Sequence, residues 1–253
     1  MSNFKITVEY DGTAYKGWQV QKSTPDTIQG KLERILCKYS NQPVDIIGSG
    51  RTDAGVHAKG QVANFHMNLP KGTTAEDLFY HINKKLPEDI AVISLTEVDD
   101  RFHARYSEKG KTYRYRIHVS PVSNPFERRF AYTYQDQKLD IEKMRQAAAH
   151  LVGRHDFKSF CGNKHMKKST VRTVTAIEIT EVKDAYGLKE IDIDYTGDGF
   201  LQNMIRIMTG TLIEVGTGRK QVSDMDAILS ALDRDKAGYT APPQGLCLME
   251  VYY

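Results

Sequence analysis

The chain has 253 residues, 40% of them apolar, and a formal net charge of +3. That is enough for one large domain or two small ones with a real core, and too close to neutral to name a polyanionic partner by net charge alone. No apolar run approaches the roughly 20 residues of a membrane helix, the start MSNFKITVEY lacks a leader pattern, and three scattered cysteines, Cys37, Cys161 and Cys247, fit neither a disulfide framework nor a zinc site; a cytoplasmic location is expected.

Phe4–Tyr10 alternates and ends at Asp11-Gly12, a strand followed by a turn signal. The segment 14–21 holds the only tryptophan, Trp18, read as an aromatic plug over the core. Thr27 is a candidate N-cap for a helix with Ile28, Leu32, Ile35 and Leu36 on one face. Two apolar runs, 44–47 and 61–66, read as strands flanking the loop GSGRTDAGVHAKG. Thr73-x-x-Glu76 has the form of a capping box, opening a helix through Leu78, Phe79, Ile82 and Leu86 that stops at Pro87. Ile90–Leu95 is a further strand. The order strand, helix, strand, strand, helix, strand is that of a ferredoxin-like or RRM-like unit.

Between Arg101 and Arg116 lie six Lys/Arg, at 101, 105, 109, 111, 114 and 116, against one acid, Glu108. As a strand, 111–117 sets Lys111, Tyr113, Tyr115 and Ile117 on one face and Thr112, Arg114 and Arg116 on the other. A half-buried strand explains the aromatic face but not the local charge; arginines and aromatics together suit phosphates and unstacked bases. Asp140 caps a helix with Ile141, Met144, Ala148 and Leu151 inward. A second basic stretch follows, with Arg154, Lys158, Lys164, Lys167, Lys168 and Arg172, and its 161–169 block lacks periodicity and reads as a basic loop. Residues 171–179 and 188–195 form a hairpin around Gly187. Asp192-x-Asp194-x-Thr196 begins like a calcium loop but lacks its glutamate at the twelfth position, Asn203. Ile205, Met208, Leu212 and Val215 make an apolar stripe closed by Gly216 and Gly218, with Arg206 off it. Ser223-x-x-Asp226 resembles a capping box, and 245–252 is the closing strand. No linker separates the halves, so a single joined sheet is expected, with a first subdomain 1–105 and a second 106–253.

The 48–60 loop carries one carboxylate, Asp53, beside Arg51 and four residues before His57. Its glycines match neither GxGxxG nor the Walker pattern. On residue types alone it is either a tight interstrand loop with an Asx-type turn or a catalytic loop on a rigid scaffold.

The run Gly50–Ala58 (GRTDAGVHA), continued by Gly60-Gln61-Val62, resembles the signature of the TruA family, tRNA pseudouridine synthases of the anticodon arm. The EYDG and GWQ segments, Phe102-His103-Ala104-Arg105, Lys111-Thr112-Tyr113-Arg114-Tyr115, Phe200…Met204-Ile205-Arg206, Gly210-Thr211-Leu212 and Gly245-Leu246 occur in family order, so the resemblance spans nearly the whole chain. It implies an α+β fold of two ferredoxin-like/RRM-like subdomains joined through an extended antiparallel sheet, with helices on one side and an active-site cleft between the halves. It implies a cofactor-free homodimer that converts uridine to pseudouridine at positions 38, 39 and 40 of the tRNA anticodon stem-loop. Carried over by motif, Asp53 is the nucleophile, Tyr113 contacts the target base and Arg206 pairs with the carboxylate. Arg51 and His57 are substrate-binding candidates that would help extrude the base, His57 being equally a structural hydrogen-bond partner.

The reaction class asks for a carboxylate that attacks C1′ or assists departure of the base, a cation to keep it ionised, and a group to remove the C5 proton or stack on the freed base; metal-ligand spacing and cofactor loops are absent from the sequence. A non-catalytic RRM-like RNA-binding protein is the alternative and predicts aromatic pairs on central strands. A small-molecule hydrolase wants a second carboxylate or a Ser/His pair near Asp53, and no such partner is recognisable.

Overall fold

Phe4, Ile6, Val8 and Tyr10 alternate along the first strand and all four are buried. A computed structural model describes residues 1–136, 138–183, 187 and 189–253. The chain divides into two compact units, Met1–Lys109 with Cys247–Tyr253, and Gly110–Leu246. In chain order the elements are β1 (Ser2–Tyr10), α1 (Ile28–Ser40), β2 (Ile47–Gly48), β3 (His57–Met67), α2 (Ala75–Lys85) and β4 (Ile90–Val98). There follow β5 (Gly110–Val119), β6 (Tyr132–Tyr134), α3 (Ile141–Ala149), β7 (Gly153–Asp156), β8 (Val171–Lys183), β9 (Lys189–Gly197), α4 (Met204–Gly216), α5 (Asp224–Ala231) and β10 (Leu246–Tyr252).

In the first unit the strands lie in the order β4-β1-β3-β2, every neighbour antiparallel. β2 meets β3 at Asn64 and Ala63, while β10 runs parallel to β3 further back, Cys247 opposite His57 and Leu248 opposite Ala58. Since β1 takes one edge of β3, β2 and β10 share the other. The second unit orders its strands β5-β9-β8-β7 with antiparallel neighbours, and β6 joins β5 in parallel at Ile117 and Tyr132. Strand pairing is therefore mixed, not antiparallel throughout as expected. The α+β class holds. No helix among the described residues is long and apolar enough to cross a membrane.

Several boundaries differ from the sequence reading for identifiable reasons. The strand expected at 44–47 shrinks to the two residues of β2, because side chains of α1 satisfy its backbone instead: the Val44 amide donates to Cys37 Sγ (3.2 Å), and the Ile46 amide to Glu33 Oε1 (3.0 Å). β3 begins at His57, four residues before the expected start, so the Asp53 loop is only 49–56 and His57 belongs to a strand. The capping box sits one residue later than expected: Thr74 caps α2 with Asp77 as its reciprocal partner, while the Thr73 hydroxyl donates to the Pro70 carbonyl. Ser223 makes no capping bond; Asp226, its expected partner, instead meets His150 Nδ1 at 2.9 Å. The short strands β6 and β7 carry too few residues for periodicity to show. Leu188, the expected first residue of the hairpin's second strand, lies outside the described residues.

Candidate active site

Asp53 lies in a loop bound down on both flanks by the segment following β1. The Tyr10 phenol lies 2.8 Å from Thr52 Oγ1, and both residues are buried. The Trp18 amide donates to the Thr52 carbonyl (3.1 Å), and the Gly55 amide to the Tyr15 carbonyl (3.4 Å). Val56 N closes a turn on Asp53 O at 3.2 Å. Gly17 has φ +94°, and a Cβ there would stand 2.6 Å from the Thr52 oxygen, so only glycine brings the two backbones this close. At the loop's other end Ser49 Oγ donates to Gln61 Oε1 (3.1 Å), and Gln61 Nε2 to the Gly50 carbonyl (2.9 Å). Burial pushes the Tyr10 phenol well above its ordinary pKa, so it stays a neutral hydrogen-bonding group at every working pH.

His57 is buried, and its Nδ1 accepts a hydrogen bond from the Gly12 amide at 3.0 Å with Asp11 Oδ1 3.2 Å away. Asp11 also caps the short turn that follows β1, accepting from the Thr13 amide at 2.9 Å. The imidazole thus ties the start of β3 to the end of β1. Arg51 is exposed and Asp53 is half-buried.

The second unit carries the other two motif residues. Tyr113 on β5 is 7% exposed, edge-on to Phe200 with ring centroids 5.5 Å apart. Tyr115 is fully buried and its hydroxyl donates to the Pro242 carbonyl (2.7 Å). An RRM-like platform needs exposed aromatics on central strands, and β5 does not supply them. Arg206, in the first turn of α4, donates from Nε to the Ala241 carbonyl (2.7 Å) and from Nη1 to Asn203 Oδ1 (2.8 Å), which fixes its guanidinium plane. Asn203 itself sits in the left-handed region at φ 58°. The Ala241 segment is held to α4 by the Gly238 amide on Thr211 Oγ1 (2.8 Å) and the Ala241 amide on the Arg206 carbonyl (3.0 Å).

The first basic stretch proves less available than its composition suggests. Arg114 forms a two-pronged pair with Asp194 (2.8 and 2.7 Å), and Arg116 pairs with Glu190 at 2.8 Å and Glu127 at 3.1 Å. Register explains this: Arg114 stands opposite Asp194 and Arg116 opposite Asp192. The acids that open the calcium-loop-like run are partners for β5. Lys111 is buried, whereas Arg101, Arg105 and Lys109 are exposed. In the second stretch Lys164 pairs with Asp235 (2.8 Å), and Arg154, Lys158, Lys167 and Lys168 are exposed.

Sequence reasoning missed Tyr10, Thr52, Gln61 and Asn203 as positioning residues. The alternation of β1 points Tyr10 inward and was a usable signal; nothing local marks Asn203.

A family model described as tRNA pseudouridine synthase matches residues 6–107 and 147–253. The chain is 44% identical over 253 residues to tRNA pseudouridine synthase A of Acetivibrio thermocellus, covering 100% of both chains. It is 46% identical to tRNA pseudouridine synthase A of an Exiguobacterium species over 100% of this chain and 98% of the relative. It is 45% identical to the protein of the same name from a Bacillus species over 98% of each.

Proposed function

The chain belongs to the tRNA pseudouridine synthase family, and we propose that the Asp53 carboxylate is its nucleophile. The enzyme is an isomerase acting on tRNA. Within one nucleotide the C1′–N1 bond breaks and C1′–C5 forms; C5 gives its proton to solvent and N1 gains one, with no change of oxidation state. The observation that carries the assignment is the double anchorage of Thr52, which presents the neighbouring carboxylate from a backbone already fixed before substrate arrives.

In this reading Arg206 keeps the carboxylate ionised and Tyr113 contacts the target base, its ring steadied by Phe200. Arg51, exposed beside Asp53, assists extrusion of the nucleotide, whose unstacking costs about a few kcal/mol. His57 holds the loop to β1 and does not touch substrate, in keeping with its burial and its bond from Gly12. The substrate positions are 38, 39 and 40 of the anticodon stem-loop, the working form is a homodimer, and the compartment is the cytoplasm. The strand order β4-β1-β3-β2 supports reading the first unit as ferredoxin-like.

The test uses tRNA tritiated at uridine C5. Wild-type protein releases tritium to solvent, and Asp53→Asn binds the same tRNA without releasing it. Undiminished release by Asp53→Asn removes the nucleophile assignment.

A further inference from the structure

Gln29 stands in the first turn of α1, and its side chain is buried. All four of its hydrogen-bonding positions are used. Oε1 accepts from Gln19 Nε2 (2.6 Å) and from the Val20 amide (3.0 Å). Nε2 donates to Glu33 Oε1 (2.7 Å) and to the Ile46 carbonyl (3.0 Å). A backbone N–H only donates and a backbone C=O only accepts, so Val20 and Ile46 fix which way the amide points. Glu33, one turn further along α1, shares the task. Its Oε1 also accepts from the Ile46 amide (3.0 Å), so the two side chains hold residue 46 by both of its backbone groups.

Both partners of this amide support the Asp53 loop. Residues 17–20 form the segment that pins Thr52 through the Trp18 amide (3.1 Å). The N-terminal amides of α1, which have no partner within the helix, hold the same segment: Ile28 donates to the Gly17 carbonyl (3.2 Å) and Gln29 to the Trp18 carbonyl (3.0 Å). Residue 46 leads into β2 (Ile47–Gly48), from which the loop departs. One buried carboxamide therefore joins the strand entering the loop to the segment that clamps the loop's middle. Packing of α1 requires only its apolar face of Ile28, Leu32 and Leu36. It does not call for a buried polar group with four partners, a network in which losing any member leaves another unsatisfied.

We propose that Gln29, supported by Glu33, is a positioning residue for the isomerisation: it sets where the Asp53 carboxylate stands by fixing residues 17–20, and through them Thr52. The proposal rests on the reading of Asp53 as the nucleophile, and Gln29 acts through the backbone, not on substrate.

Two readouts on the full chain test it: steady-state tritium release from C5-labelled tRNA, and the fluorescence of Trp18. Trp18 is the only tryptophan and is 1% exposed, so its emission reports the 17–20 segment without reference to activity. Gln29→Ala lowers kcat about ten- to hundredfold with KM for tRNA unchanged, and its Trp18 emission moves to the red and becomes open to acrylamide quenching. Leu36→Val, an apolar core position of the same helix, lowers the Tm but leaves kcat and the emission as in wild type. Gln29→Glu alone sets two carboxylates together and is impaired. Adding Glu33→Gln restores a donor between the two side chains and keeps oxygens for Val20 and Ile46, so the double variant recovers most of kcat and the buried emission. Wild-type kcat and emission in a folded Gln29→Ala protein overturn the proposal. So do a loss confined to KM, equal loss of kcat in Gln29→Ala and Leu36→Val at equal Tm, or a double variant that regains Tm without regaining kcat. Should Gln29→Ala fail to fold, the comparison of Gln29→Glu with the double variant decides. The nucleophile reading fails separately: undiminished release by Asp53→Asn sinks that reading, whereas release abolished in Asp53→Asn but indifferent to Gln29 sinks only this one.

Discussion

The hydroxyl groups of Tyr10 and Thr52 lie 2.8 Å apart in the buried floor next to Asp53. Removing one partner leaves the other buried and unsatisfied, at a cost of about 1–3 kcal/mol. Tyr10→Phe is therefore expected to lower the Tm by several degrees and to reduce kcat, because the backbone that presents Asp53 loosens, with KM for tRNA little changed. Steady-state kinetics with tritiated tRNA separates the two constants. A fall in kcat/KM arising only from KM contradicts a positioning role for Tyr10.

Gly17 supplies a sharper test of the same loop. Its φ of +94° strains any other residue, and an added Cβ would stand 2.6 Å from the Thr52 carbonyl oxygen. Gly72 also has positive φ, +81°, but a Cβ there meets nothing within 4 Å. Gly72→Ala is expected to cost about 1 kcal/mol from backbone strain alone. Gly17→Ala adds the clash and costs more, with loss of activity beyond its loss of stability. Denaturant titration and tritium release on both variants make the comparison; equal effects would show that the close approach to Thr52 does not matter.

Long or strongly patterned elements were legible in the sequence, and compensated ones were not. The α1 face of Ile28, Leu32 and Leu36 and the Thr27 cap occur as periodicity and cap chemistry require. The loss of a strand at 44–47 depended on Glu33 and Cys37, side chains ten or so residues away that propensity does not see. The Asp53 loop stood out by motif, but its anchoring to Tyr10, Gly17 and Trp18 is a tertiary fact. The Arg114 and Arg116 pairing was readable in principle: acids alternate on β9 as cations do on β5, and a hairpin-derived strand beside β5 brings them into register. Reading each basic stretch alone concealed it.

That pairing predicts a division of labour among the basic residues. Arg114 is already engaged by Asp194 and Asp192, whereas Lys167 and Lys168 are exposed in the 161–169 loop. Lys167→Gln and Lys168→Gln should each reduce the slope of log Kd against log salt for tRNA by about one, the signature of one lost phosphate contact, with no change in Tm. Arg114→Gln should do the reverse: it leaves the carboxylates of β9 uncompensated and lowers the Tm, with the salt slope kept. Filter binding across a salt series on the three variants reads both quantities. A steeper dependence on Arg114 than on the two lysines would return β5 to the RNA interface.

Asn203 is the remaining lever on Arg206. It sits at φ 58°, a conformation asparagine tolerates better than most residues, and its Oδ1 accepts from Arg206 Nη1 at 2.8 Å. Asn203→Gly keeps the backbone conformation and removes the acceptor; Asn203→Asp keeps both. With one guanidinium anchor lost and the Ala241 carbonyl still in place, Asn203→Gly is expected to lower kcat about fivefold, near 1 kcal/mol, at unchanged tRNA affinity. Asn203→Asp retains most of the activity, since a carboxylate accepts the same bond. Were the two variants equally impaired, the backbone turn rather than the Asn203–Arg206 bond would be what the position provides, and the orientation of Arg206 would have to come from Ala241 alone.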